Sequence, residues 1–314
     1  MQIRNVLPKD AIPSIDTPSF GGTYFGTADD NLVVLECDPP RGYPVRILNF
    51  HEIVNDTVAG EPRAITWCPL CGSAVVYDRR VAGRTLTFGV SGSLADDDLV
   101  MYDRETESLW KQSLGVCIDG PLEGERLRAV PAGLLSWTEF STAFPDGRVL
   151  QPPHIESEAA SETDEPAPVD YDDAPYRAYL ESDGFGLAAH RGEGTREWNR
   201  TDIGPKTVVL GVEIDGDAVG YPAPMVRKRT VLTDTVGGTE ILVLGGDEPH
   251  AFIRPAFAIT FRDGAFHGDG TVWNPATGQS EDGRQLERIP TRRLFAFTWQ
   301  DDHGFDAFYS DSEA

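Results

Sequence analysis

With 314 residues and 40% hydrophobic content, the chain is long enough for two ordinary domains with buried cores, and no run nears the roughly 18 apolar residues of a membrane span. Its 51 Asp and Glu against 27 Lys and Arg leave a net charge of −24, which repels phosphate backbones and argues against nucleic acid as a partner. Lysine is reduced to Lys9, Lys111, Lys206 and Lys228, the pattern of a halophilic protein whose dense carboxylates keep its surface hydrated in salt.

The segment Met1 to Asp10 lacks the apolar core of a signal peptide, so a cytoplasmic location is expected. Short strands punctuated by Gly, Asp and Pro are expected at Leu32–Glu36, Ile65–Trp67, Ala74–Asp78, Leu86–Val90 and Leu99–Asp103. Helical periodicity in this half is confined to Ile47–Val54 and Ser136–Phe144. The composition then changes: between 156 and 173 there are eight acids and no Lys or Arg. Residues 151–178 therefore read as a solvated acidic linker or excursion, mobile around Ala159–Val169. Strands resume at Thr207–Ile214, Glu240–Leu244, Ala251–Arg254, Ala258–Arg262 and Leu294–Trp299. The expected fold class is mostly β, an α+β chain with few short helices.

The halves resemble each other. Gly42-Tyr43-Pro44 recurs as Gly220-Tyr221-Pro222, and Asp56-Thr57-Val58 with Gly60 recurs as Asp234-Thr235-Val236 with Gly238, all 178 residues later. Two tandem, diverged β-rich repeats are expected, over 1–150 and 179–314, packed together or sharing a sheet. In the same register His51 faces Arg229, Cys68 faces Gly246 and Cys71 faces Pro249. Three potential ligands are thus present in the first copy and missing from the second, as expected of a site and not of a scaffold.

Those ligands centre on Trp67-Cys68-Pro69-Leu70-Cys71-Gly72. A redox dithiol of the thioredoxin type ends a strand and opens a helix, whose N-terminus lowers the thiol pKa. Here the pair is flanked on both sides by strand-forming residues, which is the shape of a rubredoxin-like metal knuckle. His51, one short element earlier, is the expected third ligand across a hairpin. A set of two Cys and one His suits zinc or copper, with iron possible. Met101, Asp56 and Cys117 are candidates for a fourth position. Two other readings remain open. One is a thiol-disulfide oxidoreductase in which Cys68 attacks and Cys71 resolves; the other is a non-enzymatic interaction module with a structural Cys pair. Phe88-Gly89-Val90-Ser91-Gly92-Ser93-Leu94 lacks the phosphate-loop pattern and is expected to make a tight turn or a close backbone approach. Asp96, Asp97 and Asp98 could bind a cation, but a run of acids in so acidic a chain reads as solvated loop surface.

His51-Glu52-Ile53-Val54-Asn55-Asp56, Cys68-Pro69-Leu70-Cys71-Gly72-Ser73-Ala74, Leu86 to Leu94, Asp98-Leu99-Val100-Met101-Tyr102-Asp103-Arg104 and Ser108-Leu109-Trp110-Lys111-Gln112 follow in order. Together they resemble a bacterial and archaeal family, domain of unknown function 3179. The resemblance implies no established activity. Its pattern includes the histidine, the Cys pair, and the Gly-Val-Ser-Gly and Trp-x-Gln segments. These fall here on His51, Cys68, Cys71, Gly89 to Gly92, Trp110 and Gln112. Many relatives look like exported lipoproteins, whereas this chain lacks a lipobox. Cys117 stands where relatives often carry another residue.

Overall fold

The computed structural model describes residues 1–161, 163 and 165–310. It is mostly β, as expected. The α-helices among the described residues are short: α1 (Val45–His51), α2 (Trp137–Ala143), α3 (Arg177–Glu181), α4 (Gly186–His190), α5 (Ala223–Arg229) and α6 (Ala296–His303).

One six-stranded sheet joins the two halves. Its order is Asp217–Pro222, Val208–Ile214, Arg292–Phe295, Ser73–Asp78, Glu61–Cys68 and Ile53–Val58. The join is narrow, a single antiparallel register position between Arg293 and Ala74. Two contacts beside it extend the hold. Phe295 N–H donates to the Cys71 carbonyl at 2.8 Å, and Arg293 Nη1 donates to the Gly72 carbonyl at 2.7 Å.

Alternation along the central strands decides which residues meet. Ala64 and Cys68, with Val75 and Tyr77 of the neighbouring strand, share one core cluster with Phe88, Val90, Leu99, Met101 and Trp110. Ile65, Trp67, Ala74 and Val76 point to the opposite face, toward Val33, Tyr43 and Ile47. The first cluster is closed by a five-stranded sheet that contains Phe88–Ala95, Asp98–Asp103 and Leu109–Lys111. Cys68 and Cys71 are therefore enclosed between two sheets, 1% and 0% exposed.

A strand–helix–hairpin geometry occurs at the same spacing in each half. Arg41–Pro44, α1, Ile53–Val58 and Glu61–Cys68 correspond to Asp217–Pro222, α5, Val231–Val236 and Thr239–Gly245. Tyr43 donates to Asp56 at 2.6 Å and Tyr221 to Asp234 at 2.7 Å. Each helix ends on a left-handed residue, Glu52 with φ 57° and Thr230 with φ 61°.

Several expected elements shift. The Ile47–Val54 helix stops at His51, because Glu52 leaves helical backbone and Ile53 starts a strand. Leu294–Trp299, expected as strand, divides into strand Arg292–Phe295 and helix α6. That run is buried on all sides, and periodicity does not separate strand from helix in such a stretch. The acidic excursion is no simple linker. Ser157 is fully buried and donates to the Phe50 carbonyl at 2.6 Å, and Glu158 N–H donates to the Ala11 carbonyl at 2.9 Å. Of the stretch Ala159–Val169 expected to be mobile, Glu162 and Asp164 lie outside the described residues.

Gly72 is where the join is most sensitive. It has φ +54°, and a Cβ there would lie 2.8 Å from Arg293 and Phe295 atoms, whereas Gly60, at φ +82°, has open space. Gly72→Ala is expected to lower the unfolding free energy by roughly 2 kcal/mol or more, and Gly60→Ala by about 1 kcal/mol, since only the first adds a clash to the backbone penalty. Urea unfolding of the two variants measures the difference, and equal losses would show that the join carries no strain at Gly72.

Candidate metal centre

The two cysteines reach one point because a hairpin turn carries them. Strand Glu61–Cys68 ends on Cys68, whose register partner is Ser73. Pro69 to Gly72 make the turn, with Gly72 N–H directed at the Pro69 carbonyl at 3.4 Å. The third group comes from another hairpin. Asp96 (φ 53°) and Asp97 (φ 68°) adopt the left-handed backbone that short polar residues tolerate, and strand Asp98–Asp103 then begins pointing inward. Donor atoms of Cys68, Cys71 and Asp98 all lie within 4.8 Å of one another, and all three residues are buried. A tetrahedral zinc site holds two sulfurs roughly 3.8 Å apart, at Zn–S bonds of about 2.3 Å, so a small side-chain rotation brings the trio onto one ion.

The trio is electrostatically unfinished. Asp98 Oδ2 accepts from Ser113 N–H at 2.9 Å, while Asp98 Oδ1 is buried with no hydrogen-bond partner among the described residues. Burial pushes the Asp98 carboxyl up to about 6, against the pull of Lys111. Burial also raises the Cys68 and Cys71 thiols, with Asp98 adding to the rise in both. Lys111, 2% exposed, pairs with Asp302 of α6 at 2.6 Å. Without a cation the two thiols hold their protons; an ion would displace them and pair the buried Asp98 charge.

His51 stands apart from this group. It is fully buried at the end of α1, where its Nδ1 faces the Pro13 carbonyl at 3.0 Å and its Nε2 faces the Tyr171 hydroxyl at 2.7 Å. A carbonyl can only accept, so Nδ1 carries the proton and Nε2 is the acceptor. Burial pushes the ring down to about 4, which keeps it neutral. Both nitrogens are engaged away from the thiols, and the third group the structure brings to the pair is Asp98.

Of the other expected candidates, Cys117 and Met101 share the apolar cluster of the pair, and among the described residues neither Asp56 nor Cys117 joins the donor group. Asp56 takes Tyr43 and Arg41, Cys117 directs its thiol at the Asp119 carbonyl at 3.4 Å, and Met101 is buried in the apolar cluster that contains the pair. The glycine-rich stretch makes a bulge in strand Phe88–Ala95 between Val90 and Ser93, not a turn; a Cβ on Gly92 would lie 2.1 Å from the Leu7 carbonyl. In the Trp-x-Gln segment, Trp110 donates to Asp103 at 2.9 Å and Gln112 to Thr66 at 2.7 Å, which fixes the strand carrying Lys111. The sequence offers Asp98 as a cation ligand only within a run read as solvated surface, whereas Asp97 and Asp98 are 4% and 0% exposed. The signal for Asp98 was its place directly ahead of the apolar run Leu99-Val100-Met101, inside a strand buried along its whole length.

Cys68 also lines a cavity of about 150 Å³. Glu52 enters it from the end of α1, and α4 contributes Leu187 and His190 from the far side. Burial, followed by the neighbouring Glu158 and Asp98 charges, pushes Glu52 up to about 8.

The fold and site define a mostly β protein with a buried Cys/Cys/Asp donor set beside a cavity. The chain belongs to the family described as protein of unknown function (DUF3179), whose pattern matches residues 9–309. No curated protein matches it, and no solved structure does. Among the described residues, no helix is long and apolar enough to cross a membrane.

Glu52 and Asp98 bind protons more tightly in the folded chain than in the unfolded one. Their contribution is complete below about pH 4 and is lost as pH rises through about 6 for Asp98 and about 8 for Glu52. Chelator-treated protein is therefore expected to lose a few kcal/mol between pH 5 and pH 8.5 at fixed salt, and Glu52→Gln to lose less. Parallel pH profiles for the two in urea unfolding would refute the assignment.

Proposed function

We propose that the chain binds one metal ion between Cys68, Cys71 and Asp98. The observation that carries this reading is the buried trio with its unpartnered Asp98 Oδ1. Two thiolates and a carboxylate form a soft-to-borderline set that suits zinc, or copper in its reduced state, better than magnesium or calcium. Three protein ligands leave a coordination position free, the arrangement of zinc sites that act on small molecules and not of closed structural ones. When bound, the ion would supply Lewis-acid polarisation or a stored metal for transfer. Lys111 would serve the site by holding Asp98 ionised, and Ser113 N–H by fixing the orientation of its carboxylate.

The oxidoreductase reading is weaker on the same geometry. Both thiols are buried and raised, and a strand, not a helix N-terminus, follows the pair. A thiol held protonated is a poor attacking group.

Protein purified without chelator is expected to carry about one zinc or copper per chain by elemental analysis. Cys68→Ser and Asp98→Asn should lose most of it, and His51→Ala should keep it. Metal retained by both ligand variants, or lost with His51→Ala while the fold persists, would reject this donor set.

A further inference from the structure

The cavity beside Cys68 has a chemistry of its own. Its walls are aliphatic: Ile12, Val90, Leu94, Leu99 and Leu187 line it together with Leu70. Its polar groups are concentrated at one end. Glu52 is 7% exposed, and the influences acting on its carboxyl are burial and the charges of Glu158 and Asp98, with no hydrogen bond among them. The Tyr176 hydroxyl feels the same Glu52, with Cys68 and Glu158, and no hydrogen bond acts on it among the described residues. A buried, unpartnered carboxyl that lines a cavity costs free energy unless something fills its acceptor sites. In the second half the corresponding residue is Thr230, so the carboxyl is not needed to make this turn.

The lining also selects a charge. Glu52 and Glu158 are acidic, and Asp98 lies close enough to Glu52 to act on it. Among the described lining residues, Arg191 is the one permanent cation, and it is exposed beyond the end of α4. His190, whose proton burial disfavours, stacks on Tyr176 at 5.1 Å. A guest must therefore bring donors and positive charge at one end and hydrocarbon at the other. An aliphatic cavity of about 150 Å³ accommodates a single six-membered ring.

We propose that this cavity binds a small primary amine, its ammonium donating to Glu52 and to the Tyr176 hydroxyl oxygen and its hydrocarbon resting on Val90, Leu99 and Leu187. The three ammonium donors match the carboxylate and phenol acceptors, and the positive charge offsets what burial costs Glu52. Cys68 lines the cavity as well as belonging to the donor set, but the amine contacts do not use the ion, since neither Glu52 nor Tyr176 is one of its donors.

Calorimetric titration of the full chain with cyclohexylamine, cyclohexanol and cyclohexanecarboxylate separates the head groups on one hydrocarbon body. The amine is expected to bind at least roughly tenfold more tightly than the alcohol, and the carboxylate not to bind. Glu52→Gln should remove that preference while leaving the alcohol unchanged. In the unaltered protein the methyl resonances of Val90, Leu99 and Leu187 should shift with the amine, which locates the guest even if the variant fails to fold. Equal affinity for alcohol and amine, shifts confined to other methyls, or no binding of the amine at roughly millimolar concentration would each overturn the proposal. So would amine binding abolished by a chelator, because the guest would then sit on the ion. Absence of any metal in the protein, with amine binding intact, would count against the metal reading alone.

Discussion

The turn from Cys68 to Ser73 holds its shape because the C-terminal half grips it. Phe295 N–H on the Cys71 carbonyl and Arg293 on the Gly72 carbonyl satisfy two backbone groups that a tight turn leaves over and that burial would make costly. Gly72 permits this approach by lacking a Cβ. The second half is thus not an idle partner: without it the edge of strand Ser73–Asp78 would be open, and the thiols would lose their wall.

The same half supplies charge. Lys111 is buried on a strand of the first half, and its closest acid, Asp302, belongs to α6. A buried lysine without a partner would be strongly destabilising. With Asp302 in place, Lys111 keeps its proton and can act on Asp98 as well. Trp299 anchors α6 for this task. Its ring lies on Gly211 and Gly220, where a Cβ would come within 2.4 Å of ring atoms, and its Nε1 donates to the Ala307 carbonyl at 2.6 Å. Carboxylate, ammonium and thiols are held together by packing that spans both halves.

The excursion between the halves changes meaning once its contacts are seen. Glu156, Glu165, Asp170, Asp172 and Asp173 face water, but its tyrosines and Ser157 face protein. Tyr171 meets His51, Tyr176 lines the cavity, and the Tyr179 hydroxyl donates to the Leu70 carbonyl at 2.7 Å inside the Cys turn. Charge composition reports solvation averaged over a segment and is blind to the few apolar anchors that tie it down. The linker reading caught the first property and missed the second.

Local chemistry was legible in the chain itself. β-branched and aromatic runs with period-two alternation made the strands, and Cys-Pro-Leu-Cys-Gly between two of them made a hairpin with both sulfurs on one side. The recurring Gly-Tyr-Pro and Asp-Thr-Val stretches marked the matching Tyr–Asp hydrogen bonds in each half. These properties depend on residues a few positions apart, so the sequence carries them directly. Tertiary structure alone decided the third donor and the cavity. Asp98 lies 27 residues beyond Cys71 in the chain and reaches it only because two sheets pack face to face. His51, nearer in sequence, is turned to Pro13 and Tyr171 by the helix that carries it. Proximity across a core is set by how sheets stack and where a helix ends, and neither is written in residue spacing.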